Sequence, residues 1–425
     1  MYLRRHSWLT LLSCILGNVA LSSGAAAQQP VGIAPAWRYT GMARVAEGRH
    51  GMVASGSAIA SDVGRDILRA GGNAVDAAVA VGFALAVTHA EAGNIGGGGF
   101  MLIRLKSGKV FALDYRETAP AAATHDMYLD AAGQPTDQSV SGPLASGVPG
   151  AVAGMLAAHR RFGKLPLATV LAPAIRLARD GFVVDSFHAR SLASGDRRFA
   201  RSSPAALAQY TIDGAAPSPG STLKQPDLAR TLEAIRDHGR DGFYQGWVAK
   251  AIADEMRRDG GIITEADLAG YRPKWRAPVR IRYRGQIIWS MPPSSSGGAT
   301  LAMILNIMEG YRPLPPFGST RLLHLESEAM RRAFTDRNRF LGDPDFERLA
   351  MLPRMESKTF AAAARKTIDP ARATPTPPFD PAIKDGPNTT HYSVVDGAGN
   401  AVSTTTTLND SYGSAVLVTG AGFLL

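Results

Sequence analysis

The segment that decides the fold runs from residue 386 to residue 396 and reads GPNTTHYSVVD. A proline-rich polar run precedes it, and its apolar second half predicts a β-strand. A threonine hydroxyl is a poor nucleophile until a base takes its proton, and an α-amine with a pKa of about 7.7–8.0 can be that base. Cleavage of the Asn388–Thr389 bond would therefore place nucleophile and base in one residue, although two threonines before a strand usually form only strand.

The length and the charge of the chain limit the number of domains and the class of partner. The chain has 425 residues, enough for two or three domains. Its 46 Lys and Arg residues exceed its 36 Asp and Glu residues, which gives a net charge of +10. The basic residues are scattered and form no patch interleaved with aromatic side chains, so the charge does not indicate a nucleic-acid partner.

The first 27 residues have the pattern of a secretory signal peptide. Arg4 and Arg5 precede an apolar stretch at 8–21, and three alanines at 25–27 fit a cleavage site. The apolar stretch is too short and interrupted to predict a membrane span. We therefore expect a periplasmic or secreted protein. A lipid anchor on Cys14 is the alternative reading of this region. Cys14 is the only cysteine, so a chain that begins after residue 27 has no disulfide, catalytic thiolate or cysteine-bound metal.

Glycine and capping residues organise the next hundred positions. A short strand is predicted within 51–60, then a helix at 63–70 capped by Ser61 or Asp62, and an apolar helix at 74–87 capped by Asn73. Four glycines at 96–99 suggest a phosphate loop, but the GxxxxGK[ST] pattern is missing and a strand follows. Close packing of backbone against backbone is the better interpretation.

Arg116 follows a strand predicted at 110–115, within a polar cluster. A guanidinium at a strand end can clamp a carboxylate through two parallel hydrogen bonds. The alternative is an ordinary ion pair with Asp114 or Glu117.

Two further groups of reactive side chains favour structural roles. The serines at 294–296 lack both the Gly-x-Ser-x-Gly elbow and a Ser-x-x-Lys pattern, which disfavours a serine nucleophile. They follow a strand predicted at 281–290 and precede a helix predicted at 299–308. His324, Glu328 and Asp336 lie on a charged amphipathic helix, where a lone histidine rarely binds metal.

The C-terminal part predicts a hairpin after a flexible connector. Six prolines among polar residues occupy 367–388, a plausible place for cleavage. Strands are predicted at 389–396 and 401–408 around a turn at 397–400.

Several motifs together resemble the γ-glutamyltransferases, also called glutathione hydrolases. They are SDVGRDILRAGGNAVDAA at 61–78, GNIGGGGFM at 93–101, DYRETAP at 114–120, LGDPDF at 341–346 and TTHYSVVD at 389–396. The resemblance begins near residue 51 and continues to the end of the chain. It implies an α+β fold of the N-terminal-nucleophile hydrolase class, an αββα sandwich of two antiparallel sheets between helical layers. It also implies self-cleavage between Asn388 and Thr389, which divides the chain into a large-subunit region at 28–388 and the start of a small subunit at 389–425.

The resemblance also assigns roles to individual residues. Thr389 becomes the nucleophile, and Thr407 steadies its amine and hydroxyl. Arg116 holds the α-carboxylate of the substrate, and Asn409 contacts its γ-glutamyl group. The implied substrates are glutathione and other γ-glutamyl compounds, with water or amino acids and dipeptides as acceptors. No cofactor and no metal is implied.

The resemblance reaches 37 residues into the small subunit, at 389–425. Family members continue with an acidic residue for the substrate amine, oxyanion-hole donors and further strands. From the sequence we therefore expect an incomplete sandwich. Two alternatives to γ-glutamyl transfer remain open, a non-catalytic remnant and a related acylase acting on another amide.

Overall fold

A six-stranded antiparallel sheet is the centre of the structure, which is a computed structural model that describes residues 45–375 and 389–425. Almost all of these residues belong to one unit, Glu47–Leu425. The strands run in the order β1-β9-β10-β2-β3-β6. Their bounds are β1 Gly51–Ala54, β2 Gly98–Arg104, β3 Val110–Asp114, β6 Lys274–Arg276, β9 Thr389–Asp396 and β10 Ala401–Thr407. The C-terminal hairpin therefore lies inside the sheet, between strands from the N-terminal part.

The predicted hairpin is confirmed, with a register that places Thr389 opposite Thr407. Burial alternates along β9, so that Thr390, Tyr392 and Val394 face the core. The alternate residues, beginning with Thr389, are exposed. This period of two is what a strand with one covered face requires.

Helix α2, Ala74–Thr88, covers the inner face of the sheet and is buried along its whole length. Asn73 caps it as predicted, in a capping box with Asp76. A Cβ on Gly82 would lie 2.5 Å from the sulfur of Met155 and 2.7 Å from the hydroxyl of Tyr392. Because glycine has no side chain at this position, α2 can approach closely both the sheet and the helix that carries Met155.

The prediction for the preceding helix was wrong at its start. Helix α1 spans Ala58–Arg69, and its N-cap is Ser57, whose hydroxyl accepts a hydrogen bond from the amide of Ala60. Ser61 and Asp62 lie inside the helix. The strand before it is correspondingly shorter than the apolar run suggested, because Ala58 and Ala60 favour a helix over a strand and belong to α1.

Within the described residues, ten α-helices follow β3 along the chain, and two more lie near the connector. Their bounds are α3 Ala151–Phe162, α4 Leu167–Asp180, α5 Ser186–Ser202, α6 Pro204–Tyr210, α7 Pro226–His238, α8 Asp241–Tyr244, α9 Gly246–Asp259, α10 Glu265–Gly270, α11 Gly297–Met308 and α12 Thr320–Phe340. The two near the connector are α13 Leu352–Met355 and α14 Lys358–Lys366. Helices α11 to α14 pack around a second, smaller core that includes Met303 and Leu325. In the part of the chain that the structure describes, no helix is long and apolar enough to cross a membrane.

The single strand predicted at 281–290 is instead a hairpin of β7, Val279–Tyr283, and β8, Gln286–Ser290. Arg284 and Gly285 form its turn with φ angles of 49° and 83°. Positive φ at both positions matches a two-residue turn, and Arg-Gly is a weaker sequence signal for it than Asn-Gly.

The α+β class is confirmed. Besides the six-stranded sheet, the described residues form two sheets of two strands each, β7–β8 and the pair β4 Phe182–Val183 with β5 Thr222–Leu223. The second large sheet of the expected sandwich is not formed within 45–375 and 389–425. The proposed signal peptide and residue Asn388 lie outside these ranges.

Asp396 joins the hairpin to α2 and should make stability depend on pH. Its carboxylate accepts hydrogen bonds from the amides of Ala74, Ala398 and Asn400 and from the side chain of Asn400. Burial raises the pKa of Asp396, but these hydrogen bonds outweigh it and leave the pKa below its ordinary value. The stabilisation is therefore present at neutral pH and is lost as the pH falls below about 4.

We expect Asp396→Asn to lower the free energy of unfolding by about 2 kcal/mol at pH 7. The difference from the wild type should shrink as the pH approaches 3. Urea unfolding at several pH values measures it, with Asp66→Asn in an exposed ion pair as the control. A difference that stays constant down to pH 3 would contradict this assignment.

Candidate active site

The fold brings four predicted site residues, Thr389, Thr407, Asn409 and Arg116, into one hydrogen-bonded chain. The Thr389 hydroxyl donates to the Thr407 hydroxyl at 3.2 Å. The amide of Asn409 donates to that same Thr407 oxygen at 2.8 Å, and Arg116 Nη2 donates to the side-chain oxygen of Asn409 at 3.0 Å. The predicted nucleophile and the predicted carboxylate clamp are thus linked through two intervening residues.

The two threonines form the last residue pair of the hairpin, at the end opposite its turn. Thr389 is the first residue of β9 and Thr407 the last residue of β10. Asn409 follows with a φ of 74°, a left-handed conformation that asparagine tolerates better than most residues. This turn points the Asn409 side chain toward Arg116 while its amide reaches back to Thr407.

Arg116 is an exposed side chain on a fixed backbone. Its amide donates to Asp114 Oδ1 at 3.1 Å, and its carbonyl accepts from the Tyr271 hydroxyl at 2.8 Å. Within the described residues the Arg116 guanidinium makes no ion pair, so the alternative of a salt bridge to Asp114 or Glu117 is not what the structure contains. Asp114 pairs instead with Arg276, at 2.7 Å.

A group of charges that sequence reasoning missed supports this backbone. Arg276 bridges Asp114 and Asp345, and Lys274 also binds Asp345. Hydrogen bonds from Arg276 and Lys274 hold the pKa of Asp345 well below its usual range. The motifs at 114–120 and 341–346 contain Asp114 and Asp345, but the sequence did not connect them, because the partners in this group lie about 70 residues and more apart along the chain.

Two cavities meet at Arg116, which together with Glu117 and Thr118 lines both. One, of ≈ 200 Å³, also contacts Asn409, Ser146 and Ser414. The other, of ≈ 340 Å³, contacts the charged group around Asp345. Burial raises the pKa of Glu117, which lies between the two cavities. The guanidinium of Arg116 is therefore accessible to a small anionic ligand.

The glycine run packs backbone against backbone, as predicted. A Cβ on Gly96 would lie 2.0 Å from the carbonyl oxygen of Leu424, and one on Gly99 would lie 2.4 Å from that of Thr405. The carbonyl of Gly97 accepts hydrogen bonds from the amides of Gly150 and Ala151, at the start of α3. The run thus holds the end of β10 close to α3.

We expect Gly97→Ala to displace Thr407 and to destabilise the protein by about 2–3 kcal/mol. The new Cβ would lie 2.3 Å from the Thr407 carbonyl oxygen, which is backbone, and also 2.9 Å from Asn94 Oδ1 and 3.0 Å from Leu408 Cδ2. Gly270→Ala is the matched control, because nothing lies within 4 Å of its Cβ position. Thermal unfolding of the two variants measures the difference, and equal midpoints would contradict the packing argument.

The serines at 294–296 take structural roles. The Ser294 hydroxyl donates to Asp114 Oδ2 at 3.2 Å, and the Ser296 hydroxyl accepts from Arg337 Nε at 2.8 Å. Among the described residues neither hydroxyl bonds to a histidine, and the Asp114 carboxylate that accepts from Ser294 is already paired with Arg276. This geometry agrees with the expectation that the segment shapes the site without supplying its nucleophile.

Two of the residues considered as metal ligands on the charged amphipathic helix make hydrogen bonds to other groups. Glu328 accepts from Arg332 and Thr374, and His324 Nε2 bonds to the carbonyl of Asp369. In the ranges 45–375 and 389–425, no three His, Cys, Asp or Glu side chains form a group that could hold a metal ion.

Comparison with known proteins agrees with the motifs. The profile of the Gamma-glutamyltranspeptidase family matches residues 60–425. The glutathione hydrolase proenzyme of Escherichia coli (strain K12) is 46% identical over 382 residues, which are 89% of this chain and 66% of that protein. This chain therefore spans just under two thirds of that relative's length.

Solved structures show the same relationship. The crystal structure of Helicobacter pylori gamma-glutamyltranspeptidase superimposes with a TM-score of 0.76 at 43% identity, covering 78% of this chain and 95% of that one. A cephalosporin acylase from Bacillus halodurans gives a TM-score of 0.80 at 29% identity, covering 94% of this chain and 72% of that one. From the family profile, the sequence identity and the shared fold, the chain belongs to the gamma-glutamyltranspeptidase family.

Proposed function

We propose that the protein containing this chain transfers γ-glutamyl groups from glutathione and other γ-glutamyl compounds to water, amino acids or dipeptides. The observation that carries the proposal is the hydrogen-bonded chain from Thr389 through Thr407 and Asn409 to Arg116. It supports a site in which a nucleophile and a carboxylate clamp are held by one continuous structure. The names of the related proteins, glutathione hydrolases and a gamma-glutamyltranspeptidase, favour the same substrates.

Activation begins with cleavage of the precursor between Asn388 and Thr389. The new α-amine of Thr389 takes the proton from its own hydroxyl. Thr407 keeps that hydroxyl in place through the 3.2 Å hydrogen bond. The two fragments, from 28–388 and from residue 389 onward, remain together as large and small subunits of one precursor.

Arg116 then binds the α-carboxylate of the substrate, and the Thr389 oxygen attacks the γ-amide carbonyl. From glutathione, the amide nitrogen leaves with a proton as cysteinylglycine, and a γ-glutamyl ester forms on Thr389. Water or an amine attacks this ester, which restores the threonine hydroxyl and gives hydrolysis or transpeptidation. The sequence of steps uses no cofactor and no metal.

Export is the second part of the proposal. A signal peptide at 1–27 would direct the protein to the periplasm or out of the cell. Sequencing the N-terminus of the natural protein tests this directly, since the proposed mature chain begins at Gln28.

The test of the function is an assay with γ-glutamyl-p-nitroanilide together with the intact mass of the denatured protein. We expect release of p-nitroaniline, a fragment that begins at Thr389, and a faster release when a dipeptide acceptor is added. Brief incubation with substrate followed by acid should increase the mass of that fragment by one γ-glutamyl group. A folded protein that remains uncut and inactive would overturn the proposal.

A related acylase activity is the second candidate, favoured by the similarity to the cephalosporin acylase. The two candidates differ in what the site must recognise besides the amide. A γ-glutamyl donor presents an α-carboxylate to Arg116, whereas an acylase acting on another amide side chain has no such requirement. Substitution of Arg116 therefore separates them.

A further inference from the structure

The loop after β10 is held in an unusual conformation. Asn409, Tyr412 and Ala415 have φ angles of 74°, 59° and 62°, and Gly413 has 59°. Left-handed conformations are unfavourable for residues with a Cβ, so contacts from elsewhere must select them. The contacts that do so identify the residues on which the position of Asn409 depends.

One guanidinium, that of Arg198 on α5, supplies three of the hydrogen bonds to this loop. Its Nη1 donates to the carbonyl of Ser411 at 2.8 Å and to Asp410 Oδ2 at 3.3 Å. Its Nη2 donates to the carbonyl of Gly413 at 2.7 Å and to that of Val140 at 3.0 Å. Since the Arg198 side chain is only 20% exposed, these hydrogen bonds are largely shielded from water.

Glu91, which precedes α5 in the sequence, also holds the loop at 410–413. The hydroxyl of Ser411 donates to Glu91 Oε1 at 2.9 Å, and the amide of Tyr412 donates to the Glu91 carbonyl at 2.9 Å. Ser191, also on α5, donates to Glu91 Oε2 and contacts the Tyr412 hydroxyl. Helix α5 and Glu91, which follows α2, therefore both hold residues 410–413 in place.

We propose that Arg198 is a positioning residue that controls donor binding through Asn409. Residue 410 is the neighbour of Asn409, so fixing 410–413 fixes the direction of the Asn409 side chain. That side chain accepts from Arg116 Nη2 and thereby aims the guanidinium that receives the donor's α-carboxylate. The inference rests on the proposed function, in which Arg116 is the carboxylate clamp.

Arginine suits this position better than lysine. The planar fork reaches acceptors in two directions at once, on the 410–413 loop and on Val140. A lysine ammonium would keep the charge but could not satisfy both directions. Arg198→Lys should therefore give an effect between those of the wild type and Arg198→Ala.

Steady-state kinetics with γ-glutamyl-p-nitroanilide tests the proposal. We expect Arg198→Ala to raise KM about 10-fold, the equivalent of one lost hydrogen bond, with a smaller change in kcat. Arg190→Ala is the control, an exposed arginine on the same helix, and should resemble the wild type. Thermal unfolding of each variant shows whether the fold is intact.

A double-mutant cycle with Asn409→Ala separates positioning from a general structural role. If Arg198 acts through Asn409, the double variant should have the KM of Asn409→Ala alone. If Arg198→Ala does not fold, the same cycle with Arg198→Lys decides the question. A wild type that shows no turnover overturns the proposed function and, with it, this inference. An active wild type in which the two substitutions are additive, or in which Arg198→Ala equals Arg190→Ala, overturns the positioning role alone.

Discussion

Thr389→Ala should leave the precursor uncut and lower the turnover of γ-glutamyl-p-nitroanilide by about 10⁴-fold or more. Loss of the nucleophile in a site whose groups act as a unit removes almost all of its catalysis. We propose that the same hydroxyl attacks twice: it first attacks the Asn388 carbonyl, giving an ester with a freed α-amine that water hydrolyses, and it later attacks the substrate. Both readouts should therefore fail together.

Thr389→Ser is the matched control for this experiment. It keeps the hydroxyl and the potential amine and loses only the methyl group, so cleavage and turnover should persist at a reduced rate. Intact mass spectrometry and the p-nitroaniline assay on the same samples measure both effects. A Thr389→Ala protein that is still cut before residue 389, or that keeps a tenth of the wild-type rate, would contradict the assignment of the nucleophile.

Arg116→Ala should raise KM for γ-glutamyl-p-nitroanilide by about 10²-fold. A fork of two charge-assisted hydrogen bonds to a carboxylate is worth about 3 kcal/mol, which corresponds to that factor. The guanidinium is exposed and forms no ion pair with a described residue, so it can bind an incoming anion without first breaking a salt bridge. Arg116→Lys should recover only part of the loss, because an ammonium cannot form the planar fork.

The control for Arg116 is Arg104→Ala, at the far end of β2, whose guanidinium contacts the carbonyl of Gly399. It removes the same charge from the same sheet and should leave KM within about twofold of the wild type. If Arg116→Ala resembles Arg104→Ala, the protein does not use Arg116 to recognise an α-carboxylate. The acylase candidate would then be preferred.

Elements whose signals are local could be predicted from the sequence. Asn73 before an apolar run predicted the start of α2, and the apolar segment after Thr389 predicted β9. The start of α1 was missed because the apolar run was interpreted as strand as far as Ala60, although alanine favours a helix. The β7–β8 turn was missed because Arg284 adopts a positive φ without the usual asparagine or glycine.

The residues of the site likewise differ in whether the sequence could identify them. Without the family resemblance nothing in the sequence distinguishes Thr407 from the three threonines before it, and only the register opposite Thr389 does so. Arg198 could not be identified at all, since its partners lie more than 200 residues away in the chain. Hydrogen bonds of this kind depend on the final packing of α5, which local patterns do not report.

The position of the C-terminal hairpin inside the sheet has a consequence for the timing of activation. Gly51 pairs with Asp396 and Gly98 pairs with Thr407, so the six-stranded sheet stays open until the ribosome has synthesised the chain through residue 407. Contacts of such long sequence separation form late and slowly. The Thr389 hydroxyl meets Thr407 only when this hairpin joins the sheet, so the proposed self-cleavage should follow closure of the sheet. After the proposed cleavage, the ladders to β1 and β2 would retain the new N-terminus within the molecule, and only a denaturant should separate the two fragments.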